Sequence, residues 1–123
     1  MTTEPVQLVF VLDCADPEGL AAFWAAALGY RRDPYKPPYA RLADPRGERP
    51  DILLQRVPEP KITKNRMHVD LRVTDMDAEI ARVTALGARV VRGPFVDDGW
   101  PTTVMADPEG NEFCLIVNPG TGS

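Results

Sequence analysis

A five-residue turn is written twice in this chain, and it limits the fold more than any other feature. Ala43-Asp-Pro-Arg-Gly47 returns as Ala106-Asp-Pro-Glu-Gly110, each time just ahead of an apolar run. Asp16 and Asp75 each open an amphipathic stretch, and each stretch closes on Ala-Leu-Gly, at residues 27–29 and 85–87. Repetition at a period of roughly 60 residues marks a duplicated supersecondary unit. With 123 residues there is room for one compact domain, or for two half-size modules sharing a core.

Local signals give the order of elements within each copy. Val6 to Asp13 reads as a strand, dense in β-branched and aromatic residues. Asp16 is suited to cap a helix, with Pro17 at its first position and Glu18 in its first turn. Leu20, Phe23, Trp24, Ala27 and Leu28 recur at helical spacing, and Gly29 suits a left-handed cap. Short strands are expected at 30–33, 39–43 and 52–57. In the second copy a strand is expected at 66–73, followed by a helix from Asp75 to Leu86. Its stripe is Met76, Ile80, Val83 and Leu86, and Gly87 ends it. Strands are then expected at 89–92, 102–106 and 113–117. The spacing thus predicts β-α-β-β-β twice: a first module over 6–57, a linker over 58–65 and a second module over 66–117.

Composition narrows the function class. Hydrophobic residues at 44% and charged residues at 26% are ordinary for a folded chain. A net charge of −4 and a pI near 4.9 argue against a nucleic-acid partner. No apolar run reaches the roughly 18 residues of a membrane span. The start Met1-Thr-Thr-Glu-Pro lacks the pattern of a secretory signal, so Cys14 and Cys114 are expected to be thiols in the cytoplasm. There is no glycine-rich phosphate loop, paired-cysteine zinc motif or nucleophile elbow.

Three features together resemble the vicinal-oxygen-chelate superfamily: the doubled βαβββ order, the run from Ala106 to Phe113 into the last strand, and the strand histidine His68. Within it the chain is most similar to small glyoxalase-like, bleomycin-resistance-like members, from about Val6 to Val117. The resemblance implies an α+β fold whose two modules form a cupped, barrel-like mixed sheet with the helices outside. A single ferredoxin-like sheet with extra strands is the alternative. It also implies a homodimer, since small members commonly pair and two-fold symmetry is the commonest closed form. It does not choose a reaction. The superfamily hosts lyases, isomerases, ring-cleaving dioxygenases, thiol transferases and metal-free drug-binding proteins on one scaffold.

Strand alternation sorts the residues around His68. Met67, Val69, Leu71 and Val73 share one face and are expected to pack on the helices; His68, Asp70 and Arg72 share the other. Left to residue chemistry alone, a lone strand histidine is an ordinary structural residue, and three ionisable groups in a row form a solvated face. The resemblance gives His68 a second reading. Superfamily members carry a metal-ligand histidine seven residues before the helix-capping Asp, as His68 stands before Asp75. Asp70 would orient or charge its ring. The other ligand positions do not carry over. They fall at Val9, at Leu53 (or Gln55 on the same face), and at Cys114, where metal enzymes have Glu. Glu112 and Asp70 have the right parity to approach the pocket but occupy no family ligand position. His, Gln and Cys make a poor octahedral site, so no cofactor is expected, with one divalent metal at His68 as the alternative. Ring cleavage would need a second histidine, and glyoxalase I-type isomerisation a metal and a Glu base.

Cys114 reads either as a small strand hydrophobe or as a thiol activated by nearby His68. Trp100, between Gly99 and Pro101, is either a stacking platform at the pocket rim or an edge hydrophobe. Lys61, Lys64 and Arg66 form either a solvated linker or an anion-binding cluster. Two functions follow. One is binding of a small, flat or cationic molecule in the cup without metal, by Gln55, Arg72, Trp100 and Cys114. The other is a glyoxalase-like lyase or isomerase in which His68 and Asp70 are the catalytic acid–base pair. The missing ligands favour the first.

Overall fold

Two buried carboxylates build the repeated turn. Asp44 accepts the backbone N–H groups of Arg46, Glu48 and Arg49 at 3.2, 3.1 and 2.9 Å, and the Arg49 guanidinium at 3.2 Å. Asp107 accepts the N–H groups of Glu109 and Asn111, both at 2.9 Å, and the Asn111 side-chain amide. Both aspartates are buried, so each turn satisfies its own polar groups before the chain enters the strand that follows. These contacts belong to a computed structural model that describes residues 7–65 and 67–119. The expected strand starts at Val6 and Arg66 lie outside the described residues.

The first module runs β1 (Val9–Cys14), α1 (Pro17–Leu28), β2 (Arg31–Arg32), β3 (Tyr39–Ala43) and β4 (Asp51–Arg56). The second runs β5 (Val69–Val73), α2 (Met76–Ala85), β6 (Arg89–Asp97), β7 (Trp100–Ala106) and β8 (Glu112–Val117). The chain divides into two compact units between Pro60 and Lys61. Each unit has one four-stranded mixed sheet, ordered β1-β4-β3-β2 in the first and β5-β8-β7-β6 in the second. In each, the first strand lies parallel to the last and the remaining pairs are antiparallel. The α+β class and the doubled βαβββ order are as expected. A single continuous sheet is excluded by the strand pairing, which removes the ferredoxin-like alternative.

Both helices start where their caps dictate. The Asp16 carboxylate accepts Gly19 N–H at 3.2 Å, and that of Asp75 accepts Ala78 N–H at 3.1 Å. Gly29 ends α1 in the left-handed conformation, at φ 70°. The second helix closes differently: Leu86, not Gly87, is its cap and stays right-handed, and Gly87 makes the turn after it. α1 lies on β3 and β4, burying Leu20, Phe23 and Trp24 against Leu42 and Leu54. Phe23 and Trp24 meet edge to face, 5.1 Å between centroids. α2 lies on β8 and β6 and buries Val83, while Met105, Phe113 and Leu115 form the core of that module's sheet. Each such side chain contributes about 1.5–3 kcal/mol on burial. The α2 stripe is thinner than its spacing implies, since Met76 and Ile80 are half-buried and Leu86 is exposed.

Candidate functional site

The site follows from which face of the second sheet α2 leaves uncovered. Phe113 and Leu115 of β8 and Thr103 and Met105 of β7 are fully buried on the helix side. Alternation sends Glu112, Cys114 and Ile116 to the opposite face, where all three are half-buried. The register of the sheet extends this face in two rows. Asp70 pairs with Cys114 and Cys114 with Val104; Arg72 pairs with Ile116 and Ile116 with Thr102. Residues directly opposite one another point to the same side, so the two rows bring Asp70, Arg72 and Cys114 onto one surface.

His68 stands one residue before β5, not within it. The strand starts at Val69 because the pairing with β8 begins at Phe113. The expected sharing of a face is nevertheless met, for His68 Nε2 lies 3.1 Å from Asp70 Oδ1. Both side chains are nearly half exposed, so the pair contributes little to stability. Met67, expected to pack on the helix, is instead 69% exposed. It precedes the paired part of the strand, where nothing fixes the alternation.

Cys114 joins this pair. The donor atoms of His68, Asp70 and Cys114 all lie within 4.8 Å of one another. Its environment opposes activation by His68. Burial, then the negative charges of Asp70 and Glu112, push the Cys114 thiol above its ordinary value, and a hydrogen bond with Asp70 acts in the same direction. The thiol form is therefore favoured. Glu112 is engaged by Lys64, whose Nζ lies 3.5 Å from its carboxylate. That pairing absorbs one member of the expected basic cluster; Arg66 lies outside the described residues.

Arg72 and Trp100 come together as a stacked pair. The Arg72 guanidinium carbon sits 5.4 Å from the centroid of the half-buried Trp100 ring, within cation–π range. Trp100 begins β7 through its pairing with Asp97. Gln55 lies on β4 of the first module, in register with Asp13 and Tyr39 and half-buried. Val9, and Leu53 as the alternative to Gln55, are the first-module positions that the resemblance gives as ligands; both carry aliphatic side chains, on β1 and β4.

The sequence reading missed two features. Arg41 on β3 bridges Asp33 and Asp51, the latter at 2.7 Å, and Arg31 also reaches Asp33. The signal was present in strand parity, which puts Arg41 and Asp51 on one face of adjacent strands. A cleft of about 430 Å³ beside this network is lined by Glu18, Arg32, Asp33, Tyr35 and Arg41. Arg41 is already saturated by its two carboxylates. The second feature is a longer β6, which continues through irregularities at Val90/Arg92 and Arg92/Phe95.

Among the described residues, His68, Asp70 and Cys114 form the one cluster of three donors able to hold a metal. The set is small and includes a soft sulfur donor. A hard six-coordinate ion such as Mg or Mn requires mainly oxygen donors, and within this cluster only Asp70 offers them. The donor set therefore does not fit the superfamily's usual centre.

The doubled βαβββ fold is shared with glyoxalase/bleomycin resistance/dioxygenase proteins. Residues 9–116 match the family model described as a glyoxalase-like domain, and the chain belongs to that family. A glyoxalase/bleomycin resistance protein/dioxygenase family enzyme from Burkholderia phytofirmans PsJN superposes with a TM-score of 0.74 at 16% identity, over 89% of this chain and 95% of that one. TioX from Micromonospora sp. ML1 gives 0.63 at 20% identity, over 92% and 98%. The fosfomycin resistance protein FosX from Mesorhizobium loti gives 0.66 at 16%, over 96% and 94%. These likenesses establish the shared fold. The search of curated proteins finds no match.

Proposed function

We propose that this glyoxalase-like protein binds a small molecule on the uncovered face of its second sheet, without the metal centre common in its superfamily. The stacked Arg72–Trp100 pair carries the reading, because it offers a planar, charged and half-buried recognition surface on the same sheet face as Asp70. The donor set supports the absence of the usual metal: of the positions that the resemblance gives as ligands, Val9 is aliphatic, the next is Leu53 or the neutral amide Gln55, and the last is Cys114 in place of a carboxylate.

One observation favours a second reading, a lyase or isomerase of glyoxalase I type. His68 and Asp70 at 3.1 Å have the geometry of an acid–base pair. Two variants separate the readings. Trp100→Ala should weaken ligand binding by about 1–2 kcal/mol, roughly five- to thirtyfold, while His68→Ala leaves it nearly unchanged. Loss of turnover on His68→Ala, with ligand affinity kept in Trp100→Ala, would favour the enzyme.

We further propose a cytoplasmic homodimer. Both cysteines are free, which suits a reducing compartment. No helix among the described residues is long and apolar enough to cross a membrane. β1 and β5 each stand at an edge of their own sheet, and Val9, Val11 and Val69 on them are exposed. Apolar sheet edges favour pairing with another chain. Light scattering should give about twice the 13.6 kDa chain mass at micromolar concentration; the mass of one chain would contradict this.

A further inference from the structure

We infer that the ligand of this face is an organic anion: a flat or apolar body bearing a carboxylate or another oxyanion. The inference rests on the binding reading above and specifies its chemistry. It begins with what the charged groups of this face already hold. Asp70 is engaged by His68 and by the Cys114 thiol, and Glu112 by Lys64. Arg72 is exposed and, among the described residues, has no carboxylate partner; its contact is the Trp100 ring. Asp70 and Glu112 are thus supplied with donors; Asp97, opposite Trp100 on this face, has no ion pair among the described residues, and the guanidinium fork of Arg72 has no acceptor. Such a fork matches the two oxygens of a carboxylate or phosphate group.

A second arginine repeats the arrangement across the sheet. Arg92 on β6 pairs in register with Val104, and Phe95 with Thr102. Both therefore extend the rows that contain Cys114 and Ile116. The Arg92 guanidinium carbon lies 4.2 Å from the Phe95 ring centroid, and Arg92 has no carboxylate partner among the described residues. Two guanidinium groups, each steadied by an aromatic ring, thus belong to a face whose middle is apolar at Ile116 and Val104. A cation stacking on Trp100 would meet Arg72 already there, so the expectation of a cationic ligand fits this face poorly.

Tryptophan fluorescence tests the charge class directly. Trp24 is buried in the first module's core, leaving Trp100 as the responsive ring. The full chain is titrated with benzoate, benzyl alcohol and benzamidinium, which share a flat body and differ in charge. Benzoate should give a saturable change and bind about tenfold more tightly than benzamidinium, with affinity falling as salt is raised. Arg72→Gln should weaken benzoate about tenfold, Arg92→Gln should weaken it less, and Arg72→Lys should restore part of the loss. Unchanged circular dichroism establishes that the variants are folded. Benzamidinium binding as tightly as benzoate, or Arg72→Gln leaving benzoate unaffected, would overturn the anion assignment while leaving the face a binding surface. Absence of a saturable change with all three probes would overturn both.

Discussion

At the scale of single residues, the chemistry of the face turns on Asp70. Its Oδ1 lies 3.1 Å from His68 Nε2 and it interacts with the Cys114 thiol, so one carboxylate stands beside both groups. Proximity of a histidine to a cysteine suggests activation when read from sequence. Here burial, then the negative charges of Asp70 and Glu112, raise the Cys114 thiol above its ordinary value and favour the protonated form. Cys114 should alkylate with iodoacetamide more slowly than a free cysteine at neutral pH. Asp70→Asn, which removes one of those negative charges, should speed the reaction and move its pH–rate profile to lower pH. Peptide mass mapping would distinguish Cys114 from buried Cys14. A wild-type rate at or above that of a free thiol would contradict this account.

At the scale of elements, the repeated turn is the best-determined part of the chain. The Asp44 carboxyl is held well below its ordinary 3.8, chiefly by the Arg49 guanidinium and also by three backbone N–H groups, against the opposing effect of desolvation. A carboxyl depressed on folding contributes stability that is complete above its unfolded value and is lost as pH falls through its folded value. Asp44→Asn should therefore be less stable than the parent at neutral pH, and the gap should narrow below about pH 4. Thermal midpoints measured from about pH 2 to 7 would show a constant gap if the turn does not depend on this charge.

The same elements show what was legible in the sequence. Caps and turns were readable because Asp16, Asp75, Asp44 and Asp107 act on backbone groups only a few residues away. Strand ends were less so. β5 begins at Val69 because its partner begins at Phe113, a contact between residues distant in sequence. β6 outruns its expected end at residue 92, because the two register shifts let pairing with β7 continue to Asp97. In the site, alternation gave the common face of Asp70 and Arg72. It could not give the meeting of Arg72 with Trp100, which needs β8 and β7 laid side by side. Nor could it reveal that a thiol beside a histidine is under the influence of two carboxylates.

At the scale of the whole molecule, duplication has produced two modules of one topology and different chemistry. The first module carries Val9, and Leu53 or Gln55, at the positions where the resemblance implies metal ligands, and its charge goes to the Arg41 network. The second keeps His68 and adds Cys114, Arg72 and Trp100. The family's framework persists through the turns, caps and cores, which do not depend on the ligand positions. Function can therefore change while the fold stays the same. The measurement that bears most directly on this account is the metal content of the purified full chain. Elemental analysis should find less than about 0.1 equivalent of Ni, Fe or Mn per chain, since the donor set lacks the oxygen ligands that a six-coordinate centre requires. About one equivalent of any of these ions, lost on His68→Ala, would contradict the metal-free reading.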